Sequence, residues 1–190
     1  MKRQITVTIL LALTTLSAPS EVHGQWGAVL DWINGLSGPR LVRVGPELAV
    51  AHLDEDRNRV NLAALFAVAV DDRDNPDTDA ADISAFGIQA TLESTLIGEA
   101  GAPELRSRLG FELHRFAGEF DSFWAPSFPL LVSLYVPLDG WALKVGTGFN
   151  VFSFPDDAFS PFDVGVETSG FDAGWTVQVG VEFGDFALID

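Results

Sequence analysis

The chain contains no cysteine among its 190 residues. No disulfide framework, thiolate nucleophile or sulfur-held haem or zinc is therefore available. Basic residues are scarce: 11 Lys and Arg stand against 27 Asp and Glu, a formal net charge of −16. A polyanion such as nucleic acid is repelled by that balance. Histidine occurs only three times, and no metal-spaced His/Cys set or glycine-rich phosphate loop is present, so no cofactor is expected. Long hydrophobic runs are also missing from the body of the chain. Nothing after the N-terminal segment approaches the ~18 uninterrupted apolar residues of a helical membrane span.

Hydrophobicity is nonetheless high. The hydrophobic fraction is 47% and the mean hydropathy is +0.23, unlike a disordered acidic chain. Charge and apolar surface must be segregated along the sequence. The N-terminus has the form of a secretory signal peptide over residues 1–24. Lys2 and Arg3 are the basic region, Ile5 to Leu16 the apolar region, and Val22 and Gly24 flank a cleavage point before Gln25. Its apolar stretch is too short to cross ~30 Å of hydrocarbon as a helix. Export is expected, with no cysteine for lipid attachment.

Over residues 25–38, Trp26, Val29, Leu30, Ile33 and Leu36 recur at helical spacing, and Asn34-Gly35 and Gly38-Pro39 stop the pattern. This predicts a short amphipathic helix, either packed as a cap or lying at a membrane interface on Trp26 and Trp32. From Arg40 the period becomes two. Eight strands are predicted, at 40–52, 59–70, 82–96, 104–117, 127–137, 141–153, 161–169 and 173–184. Breaks rich in Asp, Gly, Pro and Asn separate them. The predicted barrel spans 40–184, with a tail at 185–190. Runs of about 9–15 residues suit tilted membrane strands.

One face of these strands is large and apolar. The last strand puts Trp175, Val177, Val179, Val181 and Phe183 there, and Phe128, Trp141 and Phe162 join them as candidate lipid-facing or girdle residues. Further aromatics near strand ends, Phe123, Trp124, Phe152, Phe154 and Phe171 among them, also fit a girdle. The opposite face mixes glycine and alanine with Arg43, Glu47, Arg59, Asn61, Gln89, Glu93, Arg106, Arg108, Glu112, His114, Lys144, Asn150, Asp163, Glu167, Gln178 and Glu182. Its five bases nearly match its six acids, although the whole chain is strongly acidic. Buried charges need such matching and solvated ones do not. An eight-stranded barrel has an interior just wide enough for side chains. The polar face therefore reads as a lumen held by ion pairs rather than by an apolar core, leaving little room for a pore.

The signal peptide, eight alternating strands and the polar–Gly–aromatic pattern of Gln178, Gly180 and Phe183 resemble the small eight-stranded outer-membrane β-barrel proteins of Gram-negative bacteria. The resemblance covers about Arg40 to Phe183. It implies an all-β, antiparallel up-and-down transmembrane barrel, with outer-membrane lipid and the barrel-assembly machinery as partners. Members usually end on an aromatic residue, whereas this chain continues as "GDFALID". The family also implies long outer loops after the odd-numbered strands, and in this strand count the longer breaks follow strands 2, 4 and 6.

Some such barrels resemble lipid A deacylases or acyltransferases, which need a His with a Ser and a carboxylate. His23 lies in the signal peptide. His52 and His114 have no serine at the neighbouring same-face position, so no catalytic residues are assigned. The acids of "DRDNPDTDA" lack the Gly and distal Glu of a calcium loop, so no metal ligands are assigned. The expected role is non-enzymatic: structural, adhesive or binding at the cell envelope, with acidic loops toward ions or a partner that the sequence leaves unspecified. The alternative is a soluble periplasmic, lipocalin-like barrel that buries the Val/Phe face around an apolar ligand.

Overall fold

Alternation of large apolar residues with small or charged ones lets a strand present two unlike faces. Closing such strands on themselves gives each backbone N–H a partner and leaves no edge. A computed structural model describes residues 25–34, 40–53, 58–70, 83–99, 101–118, 122–155 and 170–184. It holds eight strands: β1 (Trp26–Asn34), β2 (Arg40–Leu53), β3 (Asn58–Val70), β4 (Ser84–Ile97), β5 (Glu104–Ala117), β6 (Phe123–Leu138), β7 (Trp141–Phe154) and β8 (Gly170–Phe183). All neighbours are antiparallel, and β1 pairs with β8 to close the barrel in sequence order.

The helix expected over 25–38 is instead strand β1, so the barrel begins at Trp26. The reason is local. Trp26, Leu30 and Trp32 lie on the outward face, while Val29 and Ile33 point inward and are buried. Apolar residues on both faces hide the period of two and mimic helical spacing. The strand expected at 161–169 lies outside the described residues. Strand β7 pairs directly with β8, so the count of eight holds with 26–34 as the first member. Residues 1–24 and 185–190 also lie outside the described set.

The shifted count changes which spans share an end. Those joining β3 to β4 (71–83) and β7 to β8 (155–169) are the longest, and they lie at the same end as 35–39 and 118–122. At the other end are 54–57, 98–103 and the tight turn at Asp139–Gly140, together with both chain termini of the barrel. The long spans thus follow odd-numbered strands, the arrangement the family resemblance implies.

The two walls of the interior differ in size. Strands β2 to β5 send in Arg43, Glu47, Arg59, Gln89, Glu93, Arg106, Arg108, Glu112 and His114. Strands β6 to β8 line much of the other side with Ser127, Ser133, Ala142, Gly146, Gly174 and Gly180. Long side chains reach across onto short ones, which fills a narrow lumen. Gly148 shows how close the backbones come: a Cβ there would fall on the Leu130 carbonyl and 2.7 Å from the Leu131 Cα. Gly148→Val should cost about 1–3 kcal/mol, the range for overpacking a filled interior. Chemical unfolding in detergent micelles measures this.

Candidate functional site

The interior is layered. At the loop end it is apolar, contrary to the expectation of a lumen held by ion pairs alone. Ile33, Leu41, Ala67, Ala69, Ile83, Ala85, Phe116, Ala125, Phe152 and Phe154 form one buried cluster, with Phe123 packed against it. Phe116 stacks on Phe123 at 5.2 Å between centroids and meets Phe154 edge-on at 5.8 Å. Phe152 and Phe154 stack at 5.4 Å. Phe123, inward on β6, and Phe152 and Phe154, inward on β7, therefore belong to an internal plug and not to the outer girdle. The two on β7 follow the inward parity of Lys144 and Asn150, but an aromatic pair at a strand end looks like a girdle when only the sequence is read.

Below the plug lies a charged layer. The His114 ring sits 5.5 Å from that of Phe152, in space left by Gly87, where a Cβ would strike the imidazole. Arg43 spans two carboxylates: Nη2 donates to Asp31 at 2.8 Å and Nη1 to Glu112 at 2.5 Å. Glu112 also accepts from Ser127 at 2.6 Å and Asn150 at 2.7 Å, pairs with His114 at 2.9 Å, and accepts from Gln89. Gln178, the register partner of Asp31 on the neighbouring β8, donates to Asp31 at 2.7 Å.

The middle layer centres on Arg108. It pairs with Glu47 and donates to Gln89, Gln178 and Thr91 at 2.9, 3.2 and 3.2 Å. Lys144 Nζ joins Glu47 at 3.0 Å to Glu93 at 2.8 Å. Toward the turn end, Arg59 bonds Glu182 at 2.5 Å and Glu93 at 2.6 Å, and Arg106 bonds Glu93 at 3.0 Å and Glu104 at 2.7 Å. The Arg106 guanidinium lies 3.5 Å over the Tyr135 ring, and the Tyr135 hydroxyl donates to Glu182 at 3.2 Å. Each lumen Arg or Lys has a carboxylate partner, as burial demands.

The sequence-predicted lumen residues Arg43, Glu47, Arg59, Glu93, Arg106, Arg108, Glu112, His114, Lys144, Gln178 and Glu182 are all buried in this interior. Asp163 and Glu167 lie outside the described residues. Sequence reading missed Asp31, because β1 was read as a helix, and Glu104, Ser127 and Tyr135. The last three were legible from parity: Glu104 is two before Arg106, Ser127 precedes the outward Phe128, and Tyr135 alternates with the outward Leu134.

The outer face is the inverse. Leu30, Trp32, Leu62, Phe66, Ile88, Leu109, Phe111, Leu130 and Phe149 are exposed, as are the expected Phe128, Trp141, Trp175 and Val179. Val177, Val181 and Phe183 are half-buried and point the same way, with Phe183 stacked on Trp26 at 4.8 Å. Phe162 lies outside the described residues. Hydroxyls on this face bond inward to backbone: Thr147 to the Thr176 carbonyl at 3.1 Å and Ser107 to the Ser94 carbonyl at 3.5 Å.

Ser127, opposite Glu112 on β6, shares with His114 the carboxylate of Glu112. The order of the three groups is wrong for a nucleophile, however. Ser127 donates its hydrogen bond to Glu112, not to the imidazole, and all three are sealed under the phenylalanine plug. A serine activated by histidine needs the ring between hydroxyl and carboxylate. Among the described residues no group of His and acids is arranged to hold a metal ion; the lumen carboxylates are occupied by Arg and Lys.

No known family pattern and no curated protein matches the chain. Among solved structures it is similar to Neisserial surface protein A, at 14% identity over 84% of this chain and 94% of that one, with a TM-score of 0.49. It is also similar to Ail, the attachment invasion locus protein of Yersinia pestis, solved in complex with the heparin analogue sucrose octasulfate. There the identity is 10% over 84% of this chain and 95% of that one, with a TM-score of 0.41.

Proposed function

We propose that the chain is an exported, non-enzymatic β-barrel of the bacterial outer membrane, with a structural, adhesive or binding role at the cell envelope. One observation carries this: the faces are inverted relative to a water-soluble barrel. Charges sit at the centre and apolar side chains cover the outside of all eight strands. Soluble monomers rarely expose a contiguous apolar surface of that extent, whereas hydrocarbon requires it. Strands β2 to β8 run 13 to 16 residues, more than the ~9–11 a tilted membrane strand needs. The lipocalin-like alternative needs the Val/Phe face inside, and that face is outside.

The lumen is filled by paired charges and capped by phenylalanines, so the barrel holds its shape without conducting solute. Its working surface is then the loop end, where the long spans 71–83 and 155–169 carry Asp71, Asp72, Asp74, Asp77, Asp79, Asp156 and Asp157. These acids face ions or a partner outside the cell, and both barrel termini lie in the periplasm. Fractionation and a gel of boiled and unboiled samples test the reading. An outer-membrane protein whose migration shifts on boiling supports it; a soluble periplasmic protein without the shift refutes it.

A further inference from the structure

The outer face of the strands carries almost no charge, and what it carries is selective. Among described strand residues that point outward, the charged ones are Arg40 and Arg115. Both are cations in a chain with 27 acids and 11 bases. Both sit at the loop end: Arg40 opens β2, and Arg115 lies two residues before the end of β5. The turn end of the outer face has no charged residue among the described strands.

Arg115 has the more defined surroundings. Its register partners are Phe86 on β4 and Trp124 on β6, both exposed on the same face. Arg115 Nη2 donates to the Ser122 hydroxyl at 3.1 Å. This bond draws the guanidinium toward β6. It leaves Nε and Nη1 without an acceptor among the described residues, and the Ser122 hydroxyl keeps its own proton to donate. A guanidinium fork matches two oxygens of a phosphate. Tryptophan at the apolar–polar boundary is where a headgroup meets its acyl chains. Below Arg115 the wall continues as Leu113 and Pro126, a surface for an acyl chain.

We infer that Arg115, with Ser122 and between Phe86 and Trp124, binds the phosphate of an anionic lipid headgroup in the leaflet surrounding the loop end, in preference to the choline-masked phosphate of a zwitterionic lipid. This rests on the membrane reading above. The flanking rings favour a lipid over free phosphate, which has no use for apolar walls.

The absence of cysteine makes a local probe clean. A117C places a fluorophore on an exposed outward position two residues from Arg115. The full chain carrying it is folded into phosphatidylcholine vesicles doped with brominated phosphatidic acid or brominated phosphatidylcholine. Quenching per mole should favour phosphatidic acid by about fivefold, the worth of one interfacial cation beside an anionic surface. R115Q should abolish the preference, and R115K, which keeps the charge but loses the fork, should keep only part of it. Equal quenching by both lipids with Arg115 present, or an undiminished preference in R115Q, overturns the assignment. Inorganic phosphate, titrated against chloride at matched ionic strength, should leave the preference intact; displacement would assign the site to free phosphate instead. Heat-modifiable migration of the same samples reports insertion. Protein that fails to insert refutes the membrane reading as well, whereas inserted protein without lipid preference refutes this inference alone.

Discussion

Arg43→Leu should destabilise the folded barrel by about 3–5 kcal/mol, the cost of leaving buried charge unpaired. Among the described residues Arg43 is the only Arg or Lys bonded to either Asp31 or Glu112, and both carboxylates are fully buried. Leucine would strand the two together beneath the phenylalanine plug. Arg108→Leu should cost less, although Arg108 is equally buried. Its partner Glu47 keeps Lys144 at 3.0 Å, and its other partners are neutral amides and a hydroxyl. The ordering of the two variants is a sharper expectation than either value. Urea unfolding in lipid vesicles, read by tryptophan fluorescence, would show it. An Arg43→Leu barrel within about 1 kcal/mol of the parent would mean that the layer is hydrated or paired differently.

Val179→Arg should cost about 2–4 kcal/mol, the range for an arginine facing lipid near the bilayer midplane. Val179 is four residues from the end of β8 and level with Leu30, the middle residue of β1, facing outward between it and Val145 of β7. An arginine there has no interface within reach of its side chain. Ala117→Arg supplies the control. It is also outward but at the loop-end rim, where the cost falls to about 0–1 kcal/mol. A soluble barrel would tolerate both changes to within about 0.5 kcal/mol. Depth dependence measured in vesicles therefore separates lipid from water as the medium outside the strands.

Much of this architecture is legible in the sequence. Alternation is plain wherever the inward residues are charged or small, as in β5 with Arg106, Arg108, Glu112 and His114. It fails in β1, where Val29 and Ile33 point inward because the interior beside them is apolar. A barrel with an apolar plug at one end is not fully described by one polar and one apolar face. The same cause hid Asp31, whose inward parity is visible only once Trp26–Asn34 is seen as a strand. It also placed Phe123, Phe152 and Phe154 in a girdle. One strand missed at the start shifts the numbering of every loop, which is why the long spans seemed to follow the even strands. The pairings within the lumen are a different matter. Asp31 meets Gln178, and Glu47 meets Lys144, only because the sheet closes, and no local pattern carries that.

The measurement that bears most directly on the inverted faces is a single-cysteine spin-label scan along β8, residues 175 to 182, in lipid vesicles. Labels at Trp175, Val177, Val179 and Val181 should be accessible to oxygen dissolved in the bilayer and shielded from an aqueous nickel chelate. Labels at Thr176, Gln178, Gly180 and Glu182 should be shielded from both, or should prevent folding. The reverse pattern, with Gln178 and Glu182 open to the chelate and the valines shielded, would contradict the account and turn the barrel inside out.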